Sequence, residues 1–197
     1  MLFVFFVLKF FSMTKKLNNS RNIVYFDLET QLTANDVGGW SRKADMKISV
    51  GVTYSTASGK YEIFSEQRVP QLIETLSQAD LVVGYNNRRF DYEVLMGYTI
   101  LDLAHHLPTL DLLEVVERAA GHRLSIDAVA QATLGVGKTG DGLDAIRWWR
   151  EGKVMEIAEY CCFDVKVTKM VHEHALAHGE LHFLDRFGQK KTLKVVL

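Results

Sequence analysis

The stretch Ile23-Val-Tyr-Phe-Asp-Leu-Glu29 decides how the rest of the chain is read. β-Branched and aromatic residues fill its first four positions, and polar segments lie on either side, so a buried strand is expected from Ile23 to Leu28. Residues i and i+2 of a strand share one face. Asp27 and Glu29 therefore leave the same side of the sheet, while Leu28 points to the other. Sheets of α/β proteins build their sites at such strand tips.

Working outward, a polar loop from Gln31 to Asp45 separates this strand from two more, Lys47 to Tyr54 and Lys60 to Ser65, which flank a turn ending at Gly59 as a β-hairpin does. Pro70 opens a helix whose Leu72, Ile73 and Leu76 recur at helical spacing, and a buried strand, Asp80 to Gly84, follows. The remainder reads mainly as helix: from beyond Asn86-Asn87 to Met96, Leu110 to Ala120, Ile126 to Leu134 capped by Ser125, Leu143 to Arg150, and Val154 to about Ala177, stopped by Gly179. Glu180 to Leu184 and Lys191 to Leu197 form a closing hairpin. The expected fold class is α/β, a mixed sheet of antiparallel meander plus parallel strands flanked by helices.

A length of 197 residues with 48% hydrophobic residues supplies one core, so residues 23–197 read as a single domain. With 24% charged residues, 14 glycines and only 2 prolines, the chain is neither a disordered tail nor a collagen-like repeat. Lys and Arg total 23 against 24 Asp and Glu, a net charge of -1, which excludes a histone-like polycation; any nucleic-acid partner needs a local basic surface. The only cysteines, Cys161 and Cys162, are adjacent, which disfavours an ordinary disulfide and points to a reducing, intracellular (cytoplasmic) setting. Residues 1–22 form an apolar then polar leader. Its apolar part, Met1 to Met13, is interrupted by Lys9 and falls short of the roughly 20 residues a membrane helix needs, so no stable membrane insertion is expected.

Two further elements carry chemistry. Asn86-Asn87-Arg88-Arg89-Phe90-Asp91 follows a strand directly; taken alone, Asn87 caps the next helix and Asp91 complements its dipole, while Arg88 and Arg89 could grip phosphates. Tyr160 and Asp164, at i and i+4 on the long helix, share a face beside the apolar Ile157, Cys161, Val167 and Val171, where an aspartate is costly unless paired or metal-bound. Asp27, Glu29, Asp91 and Asp164 together make four hard oxygen donors on separate elements, a set suited to Mg²⁺ or Mn²⁺ rather than zinc.

Asp-x-Glu on the first strand, Asn-x3-Phe-Asp after a later strand and Tyr-x3-Asp on a late helix, in that order, resemble the three motifs of the DEDD 3'-5' exonucleases, tyrosine subgroup, of the ribonuclease-H-like superfamily. The stretches Thr109 to Leu113, Leu134-Gly-Val-Gly-Lys138, Trp149, Gly152 and Tyr160 to Val165 are similar to the YprB-like exonuclease branch. The resemblance runs from Ile23 to His178. It implies removal of nucleotides from single-stranded or frayed 3' ends of DNA or RNA by two divalent cations, Mg²⁺ or Mn²⁺. It further implies Asp27, Glu29, Asp91 and Asp164 as ligands and Tyr160 as the residue that orients the attacking water. Thr30, Asn86, Asn87, Arg88, Arg89 and Lys138 are the candidate nucleic-acid contacts, and a helicase or polymerase is a conceivable partner. Alternatives are a non-catalytic nucleic-acid-binding module that recruits such a partner, or a structure-selective endonuclease or RNA-trimming enzyme on the same scaffold.

Other signals are set aside. Ala132 to Thr139 matches a relaxed phosphate-loop pattern but follows a helix rather than a strand. His172, His174 and His178 read as solvated residues at a helix end. One of Trp148 and Trp149 reads as core. Asp111, Asp141 and Asp144 read as caps or surface charges.

Overall fold

The structure, a computed structural model, describes residues 21–137 and 142–197. Most of the leader, together with Lys138 and Asp141, lies outside the described residues.

The expected first strand forms as β1 (Ile23–Thr30) and sits at the centre of a five-stranded sheet. The hairpin supplies β2 (Ile48–Ser55) and β3 (Lys60–Ser65), both antiparallel, with Tyr25 opposite Tyr54 and Asp27 opposite Val52. Helix α1 (Val69–Ser77), with Pro70 in its first turn, returns the chain so that β4 (Leu81–Gly84) pairs parallel with β1 on its other side. The mixed α/β sheet is thus ordered β3-β2-β1-β4-β5.

The outer strand β5 (Thr109–Asp111) corrects the sequence reading, which ran a helix from Leu110. Thr109, Leu110 and Asp111 pair with Val82, Val83 and Gly84, and the Asp111 carboxylate then accepts the Leu113 N–H at 3.0 Å, so the helix starts only at Leu112. The helix expected after Asn87 is likewise cut to α2 (Asp91–Leu95), and a short α3 (Leu103–His106) precedes β5. Beyond it come α4 (Leu112–Ala120), α5 (Ile126–Leu134, capped by the Ser125 hydroxyl), α6 (Gly142–Arg150) and the long α7 (Val154–His178). Gly179, at φ 64°, turns the chain from α7 into the small hairpin β6 (Glu180–Leu184) and β7 (Lys190–Lys194). A left-handed residue of this kind is cheapest as glycine.

Two cores flank the sheet. Tyr25, Val50, Val52 and Val83 pack under α4, α5 and α7, while Val24, Phe26 and Leu28 pack with Ile48 and Phe64 against Leu72 and Leu76 of α1 and Leu95 of α2. Burying each such side chain contributes roughly 1.5–3 kcal/mol. Alternation along β1 thus commits Leu28 to one core and turns Asp27 and Glu29 toward α7. Among the described residues no helix is long and apolar enough to cross a membrane.

Candidate active site

The acidic residues meet where the C-terminal end of β1 crosses the N-terminal half of α7. Carboxylate oxygens of Asp27, Glu29 and Asp164 all lie within 4.8 Å of one another. A register shift between Glu29 and Thr30 marks a bulge at the strand tip, a feature that re-aims side chains. Asp27, Glu29 and Asp164, with Asp91 beside them, line a cleft of about 770 Å³.

Asp91 occupies a different position from the other three. It is buried, and its Oδ1 accepts the Leu28 backbone N–H at 3.2 Å. The reason lies in the ladder: β1 and β4 pair only from Ile23 to Tyr25, so the β1 groups beyond that point need other partners. Asp91 satisfies the Leu28 N–H, and the Asn87 side-chain amide donates to the Phe26 carbonyl at 3.3 Å. Two side chains, one from the loop after β4 and one from the start of α2, thus continue the ladder and clasp the peptides on either side of Asp27. Asn87, a candidate nucleic-acid contact from sequence, is instead fully buried, and it does not cap α2 either; Phe90 occupies that position without a side-chain cap. Close approach makes this possible, since a Cβ on Gly84 would sit 1.8 Å from Asn87 Oδ1.

Crowding sets the electrostatics. Burial first, then the charges of Asp91, Asp164 and Glu29, push the Asp27 carboxyl well above its ordinary range. Glu29 is raised by burial and by Asp164 and Asp91. Asp91 is pushed up to about 8, chiefly by burial, with the Leu28 N–H working in the opposite direction. Among the described residues, the charged groups that act on Asp27 and Glu29 are all acidic. An oxygen-only donor set, desolvated and mutually repelling, fits a divalent cation, which would remove the repulsion that raises these groups.

Tyr160 stands over the cluster. Its hydroxyl hydrogen-bonds with Asp164, and burial together with the three neighbouring acids raises its pKa far above the usual phenol value, so it stays neutral. Trp148 packs edge-on against its ring, with centroids 6.1 Å apart. Both Trp148 and Trp149 are part of the core periphery. Cys161, read from sequence only as part of an apolar face, turns its buried thiol to the Asp27 backbone carbonyl at 3.5 Å and to Asp27 Oδ2 at 3.6 Å.

The remaining candidates scatter. Thr30 lines the cleft, and its hydroxyl donates to the Leu32 carbonyl at 3.0 Å. Asn86, at φ 74°, accepts from Arg123 at 3.2 Å. Arg88 spends its guanidinium on the Ala104 and Thr109 carbonyls, at 2.6 and 3.1 Å, and Arg89 pairs with Glu117 at 2.8 Å. Asp111 is a cap, as expected, but a buried one that also accepts the Asn86 and Arg88 N–H groups. His172 is not solvated: it is 2% exposed and hydrogen-bonds Tyr25 Oη at 2.8 Å, whereas His174 and His178 stack at the helix end.

A family model of the RNase H superfamily matches residues 24–176, a span that contains every element of this site. The chain belongs to the RNase H superfamily. No curated protein matches this RNase H superfamily chain. Among solved structures it is similar to the family B DNA polymerase from the hyperthermophilic archaeon Pyrobaculum calidifontis, with a TM-score of 0.62 at 15% identity over 79% of this chain and 24% of that one. The chain spans about a quarter of the polymerase's length, and the likeness is one of fold.

Proposed function

We propose that the chain is a metal-dependent 3'-5' exonuclease of the DEDD type, tyrosine subgroup and near the YprB-like branch, acting on single-stranded or frayed ends of nucleic acid. The observation that carries this reading is the convergence of Asp27, Glu29 and Asp164 from β1 and α7 into one carboxylate cluster, with Asp91 directly behind it. Superfamily membership supports a nuclease role for such a cluster.

In this proposal Asp27, Glu29, Asp91 and Asp164 hold two divalent cations, Mg²⁺ or Mn²⁺. When bound, such ions supply Lewis-acid stabilisation of the phosphodiester and a water of lowered pKa. The chain's own residues do the rest. Tyr160, held neutral and hydrogen-bonded to Asp164, is suited to orient a water rather than to take its proton. Trp148 fixes the tyrosine ring from behind. The clasp of Asn87 and Asp91 on β1 sets where the Asp27 carboxylate stands.

The test uses the full chain beside its Asp164→Asn variant on 5'-labelled single-stranded DNA and RNA, with Mg²⁺, Mn²⁺ or EDTA. A ladder shortening from the 3' end, seen only with metal and slowed at least about 10³-fold in the variant, is expected. Cleavage that persists unchanged in the variant, or no cleavage with either metal, overturns the reading.

A further inference from the structure

We infer that His174, His178 and His182, joined by Glu180, form a transition-metal site separate from the acidic cleft, one that takes Zn²⁺ or a similar borderline ion and pins the C-terminal hairpin to the end of α7.

The four donors come from two elements. His174 and His178, at i and i+4, share a face on the last turns of α7, the spacing with which one helix offers two imidazoles to one ion. Gly179 then ends the helix, and β6 leaves with Glu180 and His182 on one face while Leu181 between them is fully buried on the other. The rings are already gathered: His174 lies 4.3 Å from His178 and 6.4 Å from His182, centroid to centroid. Two imidazoles bound tetrahedrally to one Zn²⁺ stand roughly 5 Å apart by the same measure, so each pair is within about 1.5 Å of that spacing, a gap that side-chain rotation closes. At the helical rise per residue His174 stands roughly 15 Å along α7 from Asp164, which keeps the two donor sets distinct.

The surroundings suit ligation. Thr192 Oγ1 lies 3.2 Å from His182 Nδ1, and when that nitrogen donates to the hydroxyl, Nε2 presents its lone pair, as an outer partner does for a metal-binding histidine. His182 Nε2 in turn lies 3.8 Å from Glu180 Oε1, while Lys194 takes the other carboxylate oxygen and holds the carboxyl below its ordinary pKa. The main chain of His182 is fixed as well: its N–H donates to the Thr133 hydroxyl at 2.9 Å, and its carbonyl accepts from that hydroxyl at 3.2 Å. Burial first, then the two neighbouring imidazoles, hold His174 below its ordinary pKa, which favours the neutral ring that binds metal. His178 is exposed and gives an ion its way in from water. Three imidazoles with one carboxylate select a borderline ion over Mg²⁺, the opposite preference to that of the oxygen-only cleft.

Calorimetry on the full chain without an affinity tag gives the decisive measurement. Metal is stripped with EDTA, and Asp164→Asn is carried throughout to weaken the acidic cluster. ZnCl₂ and MgCl₂ are titrated into this parent and into the parent with His178→Ala or His182→Ala added, with thermal melting in parallel. One Zn²⁺ per chain is expected at this site, bound at least about 10-fold more weakly in either histidine variant, with Mg²⁺ binding unmoved. At Zn²⁺ about 100-fold above Kd the parent should melt roughly 5–10 °C higher. His178→Ala, which removes an exposed ring, should melt like the parent without metal and lose that rise. In NMR spectra the Cε1–H signals of the three histidines should move together as Zn²⁺ is added. Zn²⁺ binding of equal affinity in the parent and both variants overturns the site, as does a parent that takes up no Zn²⁺. A melting rise with Zn²⁺ that survives His182→Ala overturns the pinning of the hairpin.

Discussion

The two faces of the sheet are built from the same strand and behave in opposite ways. On the α1 face, Phe26 and Leu28 meet Phe64, Leu72 and Leu76 in a fully apolar core. On the α7 face, Asp27 and Glu29 alternate with them and meet Asp164, Tyr160 and the Cys161 thiol. The first face gains free energy from every group it buries; the second gathers anions whose carboxyls burial forces upward. The lesson is that β1 carries the stability of the fold and the liability of the site on alternate residues, one within 3.8 Å of the next along the chain, as any trans peptide requires. Mutations on the two faces should therefore separate cleanly.

The largest separation is expected between Asp164→Asn, which should abolish the proposed nuclease activity while leaving the fold, and Leu72→Ala, which should weaken the fold while leaving the site. Leu72 is fully buried, so its truncation costs about 2–5 kcal/mol in urea unfolding without weakening divalent-metal binding per folded molecule. A parallel loss of metal affinity in folded Leu72→Ala would break the comparison.

Gly84→Ala tests the clasp between the faces. The added methyl displaces the buried Asn87 side chain and orphans the Phe26 carbonyl, so metal affinity measured by calorimetry should fall about 10-fold, the effect expected of an outer-shell support. Unchanged affinity would mean that Asn87 serves the fold alone.

The smallest effect concerns the metal-free protein. Folded-state pKa values of Asp27, Glu29 and Asp91 lie above their ordinary ones, so the protonated forms favour the fold. That contribution is full below about pH 4 and is lost as pH rises toward and through the raised values, about 8 for Asp91. Metal-free protein should lose thermal stability between roughly pH 5 and 8 through these groups. Glu29→Gln should flatten that slope and melt a few degrees higher at pH 8, roughly 2–5 °C, and added Mg²⁺ should lift wild type but not the variant. A steeper slope in the variant would contradict the account.

Where the sequence was informative, periodicity was the reason. The i, i+2 relation of Asp27 and Glu29 and the i, i+4 relation of Tyr160 and Asp164 are properties of regular backbone, and each survives into the fold. What escaped were features set by tertiary neighbours. A three-residue strand such as Thr109–Asp111 has no period to detect. Arg88 looked like a phosphate ligand because nothing local announces that the Ala104 and Thr109 carbonyls will claim it. His172 sits on the same helix as two exposed histidines, and only the approach of Tyr25 from β1 takes it out of water. The local sequence offers Asn87 as a nucleic-acid contact or a helix cap, while its actual partner lies 61 residues away.

The hydrogen bond from Leu28 to Asp91 has one further consequence. It ties the strand's main chain to the acidic centre through an amide proton on a residue whose own side chain belongs to the opposite, apolar core. Amide 28 is accordingly a natural listening post: a nucleus in the rigid interior of the sheet whose resonance carries news of the charge on the far side of the strand, without a label, a probe or any substitution in the site itself.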